Sequence, residues 1–140
     1  MRIGIDIGNV LIGGGGDDTM FTDQYLQTPE VEGARESVIA LVDQGHEIHI
    51  ISKCGKTTQQ KSQEWLEWHM YWRIVSPYNT HFVRNRELKA PMAKALRLEV
   101  FIDDRQDVLD PMEGIVKHPI LFTSWEQTNE ELAKILDRPA

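Results

Sequence analysis

Apolar and polar residues fall into blocks of two lengths along this chain. Short apolar runs occupy residues 2–7, 47–51, 81–84, 99–103 and 119–123. Brief runs rich in Ile, Val and Phe read as buried strands. Longer stretches with a helical period lie between them, at 33–44, 57–72, 89–97, 106–112 and 126–137. The first of these carries Val38, Ile39, Leu41 and Val42 on its apolar side, and Gly45 is its stop. The second opens at Thr57 or Thr58. Ser76-Pro77-Tyr78-Asn79 reads as a turn. Residues 11–32 follow neither period and contain Gly13 to Gly16 in a row, then Asp17 and Asp18. Strand and helix in alternation predict parallel βαβ units, an α/β three-layer sandwich. No repeat or linker interrupts the pattern, so residues 1–140 read as a single domain.

Three of the apolar runs stop on a polar side chain. The first ends at Asp6, the second at Ser52, and the fourth at Asp103-Asp104. Ligands in open α/β sheets bind outside the carboxyl ends of the strands. If these strands are parallel neighbours, the four side chains converge on one crevice suited to a metal ion facing a phosphate. Lys89 stands at the head of the helical stretch 89–97. Each residue alone has a plainer reading. An Asp at a strand end is commonly a turn residue, and Ser52 or Asp103-Asp104 can cap a following helix. The joint pattern is what favours a site.

At these residues the chain resembles the haloacid dehalogenase-like superfamily of phosphohydrolases. That family's first motif, Asp-x-Asp-x-(Thr/Val)-Leu at a strand end, is matched by Asp6-Ile7-Gly8-Asn9-Val10-Leu11. Ser52 matches the second motif, Lys89 in Leu88-Lys89-Ala90-Pro91 the third, and Phe101-Ile102-Asp103-Asp104-Arg105 the fourth. The motifs keep the family's order and span residues 6 to 104. The resemblance implies a central parallel sheet of about five strands in the order 3-2-1-4-5. It also implies a Mg²⁺-dependent phosphatase acting through an aspartyl-phosphate. Asp6 would be the nucleophile, and Mg²⁺ would lie between Asp6, the Gly8 carbonyl and Asp104, with Asp103 a supporting partner or alternative ligand. Ser52 and Lys89 would hold the phosphoryl group, and Asn9 and Lys53 would contact the substrate. Lys94 is a rival to Lys89 but lies inside the helix.

Two departures from the family pattern matter. The second Asp of the first motif, the family's general acid/base, is replaced by Gly8. A glycine cannot move a proton, and general acid help is typically worth about 10²–10⁴-fold. A variant Asp-x-Gly-Asn-Val motif nevertheless resembles that of some sugar-phosphate phosphatases of the superfamily. The second departure is size. Residues 12–32 are too short for a folded cap, and the stretch between Ser52 and Lys89 is filled by a helix, a turn and a short strand, so this looks like a capless member. An open site suits a substrate with its own bulk, such as a protein or a nucleic-acid end, and the expected partner is a phosphorylated substrate, a small molecule or a macromolecular end. Two alternatives follow: a domain that binds phosphate or a partner with little or no turnover, and a nucleotide or nucleic-acid-end phosphatase. The stretch Ile102 to Arg105 resembles that of deoxyribonucleotidases.

Composition narrows the rest. A net charge of −7 argues against general nucleic-acid binding. Cys54 is the sole cysteine, which excludes an internal disulfide and fits a reducing compartment. No apolar stretch is long enough for a membrane span, and the start lacks a signal-peptide pattern, so the expectation is a cytoplasmic protein. Trp65, Trp68 and Trp72 fall on one helical stripe, which suggests core or a homo-oligomer contact. Lys53, Lys56, Lys61, Arg84 and Arg86 could form a basic rim beside the site. His46 and His49 flank Glu47 without the His-Glu-x-x-His spacing of a zinc site. The Gly13–Gly16 run reads as a flap over the site, since no Gly-Lys-(Ser/Thr) follows it.

Overall fold

The structure, a computed structural model, describes residues 1–136 of the chain. Five strands form one parallel sheet: β1 (Arg2–Ile5), β2 (Glu47–Lys53), β3 (Thr80–Val83), β4 (Val100–Asp103) and β5 (His118–Leu121). Their order is β3-β2-β1-β4-β5, as the resemblance implies. β1 pairs with β2 and β4 on its two sides, with Ile5 in register with both Ile50 and Ile102. A parallel sheet covered on both faces needs strands that are apolar throughout. β4 is buried at every position, and β2 at all but its two ends.

Five α-helices cover the sheet: α1 (Ala34–Asp43), α2 (Lys56–Trp68), α3 (Lys89–Ala95), α4 (Gln106–Leu109) and α5 (Trp125–Leu136). One core layer joins Ile3, Ile5, Ile50 and Ile102 to Val38, Trp65, Trp125 and Leu132 of α1, α2 and α5. The second joins Ile51 and Phe101 to Ala90 and Ala93 of α3 and to Val108 and Leu109 of α4. The result is the three-layer α/β sandwich. Gly4 faces the second layer opposite Phe101, its register partner. A Cβ on Gly4 would lie 2.7 Å from the Phe101 ring and 2.6 Å from Leu98. Glycine is what lets that ring lie flat against the central strand.

Several boundaries differ from the sequence reading, each for a local reason. α1 buries Ala34, Ser37, Val38 and Leu41, while Ile39 is exposed. Ser37 is tolerated inside because its hydroxyl accepts a hydrogen bond from the Asn129 side chain at 3.0 Å. α2 starts at Lys56 behind Gly55 rather than at Thr57 or Thr58, so Ser52 is not its cap. It stops at Trp68, and Met70 takes a left-handed conformation at φ 63° before a 3₁₀ turn over Tyr71–Arg73. The Trp65/Trp68/Trp72 stripe is therefore broken. Trp65 is wholly buried in the core, Trp68 is 69% exposed, and Trp72 sits on the separate turn. The three indoles do not present one surface to a second copy. The stretch 106–112 divides into α4 and a 3₁₀ turn at Asp110–Met112. The end of the predicted last helix, residue 137, lies outside the described residues.

Residues 12–32 contain two 3₁₀ turns, Thr19–Phe21 and Tyr25–Gln27, and no α-helix. All four glycines from Gly13 to Gly16 have positive φ, between 61° and 94°. Side chains rarely adopt that backbone, so the run has a conformational reason to be glycine. The segment is nonetheless pinned. Gly13 N–H donates to the Pro29 carbonyl at 2.8 Å, and Ile12 bridges to Glu30 in antiparallel fashion.

Candidate active site

The chain returns from β2 and β3 on one side of β1 to β4 on the other, so β1 and β4 flank the switch point of the sheet. This is where an open α/β sheet leaves a crevice beyond its strand ends. Asp6 follows β1 directly, and its N–H donates to the Ile102 carbonyl at 3.0 Å, continuing the ladder. That bond sets Asp6 beside the end of β4, where Asp103 and Asp104 stand. Ser52 approaches from β2. Lys89 enters from the first residue of α3.

Lys89 is the hinge of the cluster. Its ammonium donates to Asp103 Oδ2 at 2.8 Å and to Asp6 Oδ1 at 3.0 Å. All three side chains are nearly or wholly shielded from solvent. Asp103 is fully engaged, because its Oδ1 also accepts the Arg105 N–H at 3.0 Å. Asp104 is partly exposed, and its Oδ2 accepts from the Asn9 amide at 3.1 Å. Asn9 has φ 64°, a left-handed position that Asn accepts more readily than most residues. It thereby ties the first motif to the fourth. Around it, Ile7 carbonyl accepts the N–H groups of Val10, Leu11 and Ile12, making a tight turn. Trp125 Nε1 donates to the Val10 carbonyl at 2.8 Å and locks that turn to α5.

The electrostatics are unbalanced. Burial pushes the Asp6 carboxyl up to about 7, partly opposed by Lys89 and reinforced by Asp103 and Asp104. Burial likewise raises Asp103, against the pull of Lys89. Burial alone would lower the Lys89 ammonium, but the two carboxylates outweigh it and hold it above its usual value. One ammonium faces three carboxylates whose ligand oxygens lie within 4.8 Å of one another. The donor set, all hard oxygen, fits a divalent cation of the Mg²⁺ or Ca²⁺ kind.

The cluster opens into a crevice of about 420 Å³. Asp6, Gly8, Asn9, Ser52, Lys53, Lys89 and Asp104 all line it, and Asp103 lies just beneath. Lys94 is exposed on the outer side of α3 and takes no part in the Lys89 contacts. The basic residues divide. Lys53 and Arg86 line the crevice. Lys61 instead donates to the Met20 and Thr22 carbonyls, and Arg84 donates to the Cys54 carbonyl at 2.9 Å. The sequence reading missed Asp17, Met20, Phe21, Thr28 and Thr58, which also line the crevice. No periodicity marks the irregular segment that supplies most of them. Cys54 lines the crevice as well, with burial raising its thiol.

No family model matches the chain. A protein of Oceanobacillus iheyensis, named provisionally as a nucleotidase, is 25% identical over 122 residues. The match takes in 86% of this chain and 64% of that relative's length. A solved hydrolase from Streptococcus pneumoniae shares the fold over 98% of both chains, with a TM-score of 0.63 at 14% identity. The fold is haloacid dehalogenase-like. A chain of the Pnkp1/Rnl/Hen1 complex shares the fold over 86% of the present chain and 45% of its own. Its TM-score is 0.60 at 13% identity. Among the described residues no helix is long and apolar enough to cross a membrane.

Proposed function

We propose that the chain is a Mg²⁺-dependent phosphatase working through an aspartyl-phosphate at Asp6. The observation that carries this reading is the buried Asp6–Lys89–Asp103 cluster, with Asp104 beside it, at the mouth of a crevice that also holds Ser52. Asp6, Asp104 and the Gly8 carbonyl would hold the ion, with Asp103 in support. Mg²⁺ when bound would neutralise charge on the phosphoryl oxygens and on the carboxylates. In phosphoryl transfer the protein's work is mostly positioning and charge stabilisation.

In the first step an Asp6 carboxylate oxygen forms a bond to phosphorus as the ester P–O bond breaks, and the leaving oxygen departs with the electron pair. Lys89 holds the nucleophile and faces the phosphoryl oxygens, while Ser52 donates a hydrogen bond to one of them. Lys53 and Asn9 contact the remainder. Water then attacks the acyl phosphate, releasing inorganic phosphate and restoring the Asp6 carboxylate. Gly8 offers no proton to the leaving oxygen. Phenolic and acyl leaving groups, which need little protonation, are therefore the favoured class. The short segment 12–32 leaves the crevice without a folded cap, and residues 1–140 act as one domain.

A nucleotide or nucleic-acid end is the second reading, favoured by the name of the Oceanobacillus relative. A domain that binds phosphate without turnover is the third, favoured by Gly8. The deciding experiment measures phosphate release from aryl and acyl phosphates with and without Mg²⁺, in wild type and in Asp6→Asn. Wild-type turnover that needs Mg²⁺, lost by several orders of magnitude in the folded variant, supports the phosphatase. Equal rates in the two proteins remove Asp6 from the nucleophile role, and inactivity of the wild type on every ester favours the binding domain.

A further inference from the structure

The irregular segment after the first motif is built into the crevice wall, and α2 spends one face holding it there. Lys61 donates to the Met20 and Thr22 carbonyls and lies over the Tyr25 ring. Glu64 accepts from the Tyr25 hydroxyl. Trp65 Nε1 donates to the Thr28 carbonyl at 2.9 Å, and His69, just past the helix end, contacts the Leu26 carbonyl at 2.9 Å. Positions 61, 64, 65 and 69 follow the three- and four-residue spacing of one helical face. Inside the segment, the Thr19 and Thr28 hydroxyls lie 2.8 Å apart and close it on itself. These bonds satisfy backbone carbonyls that a loose loop would leave to water.

Beside the polar Asp17 and Thr28, this wall presents Met20 and Phe21 to the crevice. Phe21 lines the crevice, yet it is 74% exposed, and Met20 lines it from the preceding position. A phenyl ring held on a strapped segment and left mostly in water makes no contribution to the core. The crevice volume of about 420 Å³ falls within the range of roughly 300–1,000 Å³ typical of small-molecule sites. The phosphoryl group occupies only the end with Asp6 and Lys89, so the remaining volume takes the rest of the substrate.

We infer that Phe21, with Met20, is the specificity-determining wall of the site and seats a planar ring carried by a small phosphomonoester. This rests on the phosphatase reading above. A flat aromatic partner gains most from an exposed ring, by stacking and by removal of both faces from water. The ring can be a phenol bearing the phosphate or the base of a nucleoside monophosphate. Both give the same contact with Phe21.

The test uses acetyl phosphate, which has no ring, as the reporter substrate with Mg²⁺. Phenylphosphonate, a nucleoside 5′-monophosphate and glycerol phosphate compete against it. In wild type at least one ring-bearing competitor should bind about tenfold more tightly than glycerol phosphate, and which one identifies the source of the ring. Phe21→Ala should bring that ratio close to one, and Phe21→Trp should retain it. Equal inhibition by ring-bearing and ring-free competitors in wild type overturns the inference, as does a ratio unchanged in Phe21→Ala. If wild type does not turn over acetyl phosphate, the same competitors are measured by calorimetry. A ring preference there keeps the inference whatever the aryl esters then decide about the phosphatase reading, and its absence overturns the inference.

Discussion

Two polar clusters sit on the same sheet, one buried and one reaching its exposed end, and they differ in how their charges close. At the strand ends, three carboxylates share one ammonium, and the group opens into a crevice. Nearer the β2–β3 edge, His49 is buried between Glu47 and His81. Its Nε2 lies 2.8 Å from Glu47 Oε2 and its Nδ1 lies 3.2 Å from His81 Nε2, so each ring nitrogen has a partner. The two imidazoles also stack, with centroids 5.4 Å apart. The second cluster is complete in itself. The first sets one ammonium among three carboxylates beside the crevice. Burial alone is thus a poor marker of function, whereas buried charge left uncompensated beside a cavity points to a ligand.

The contrast breaks most sharply at Lys89. Lys89→Met leaves Asp6 and Asp103 buried against each other with no cation between them. In metal-free protein at neutral pH it should cost about 3–5 kcal/mol, the usual range for breaking a buried pair by removing one partner. His49→Phe, which removes the centre of the second cluster, should cost distinctly less. Chemical denaturation of both variants checks this. Equal losses would mean that the two clusters are alike in kind.

A gain at Gly8 sharpens the same contrast from the chemical side. No atom lies within 4 Å of a Cβ built there, and its φ is outside the left-handed region. Gly8→Asp is therefore accommodated and supplies the acid that the crevice lacks. Rates on alkyl phosphates should rise by about 10–10²-fold while aryl phosphates change little. An unchanged alkyl-to-aryl ratio would show that leaving-group protonation does not limit the reaction.

The smallest effect belongs to the histidines. Burial, and then the neighbouring His49, holds His81 below its usual 6.5. The unfolded chain therefore takes up a proton at a higher pH than the folded one. The His81 contribution to stability should be full above about pH 6.5, fall as pH drops through the window down to the depressed value, and level off below it. His81→Gln should flatten that slope by under ~1 kcal/mol, read from melts between pH 5 and 8. The raised Asp6 carboxyl pulls the wild-type slope the other way over the same window, so the histidine is read from the difference between the two proteins, and a difference of the opposite sign would contradict the assignment.

The fold was legible because its strands announce themselves. Ile3 to Ile5 and Val100 to Ile102 are unbroken apolar runs, Ile48 to Ile51 is interrupted only by His49, and each is followed by a polar residue that the sheet then carries to one edge. The strand order came from the family resemblance rather than from any pattern of residues. Helix ends were harder to read, because the Met70 reversal depends on local packing and not on a Gly or Pro signal. The tryptophan stripe divides for that reason, with Trp65 in the core, Trp72 packed against it and Trp68 exposed. The segment that walls the crevice was the least legible. Its shape comes from long-range bonds such as Lys61 to Met20 and Trp65 to Thr28, and no local rule encodes these. Lys89 shows the reverse. Its place at a helix start was plain, but its grip on both Asp6 and Asp103 required the packed structure.

The central claim is that Asp6 attacks phosphorus, and a beryllofluoride trap followed by ¹⁹F NMR tests it most directly. Beryllium fluoride mimics an acyl phosphate on a carboxylate. Wild type with Mg²⁺ should give a bound-fluoride signal that disappears when Mg²⁺ is withdrawn and is absent from folded Asp6→Asn. The same bound signal in Asp6→Asn would contradict the account.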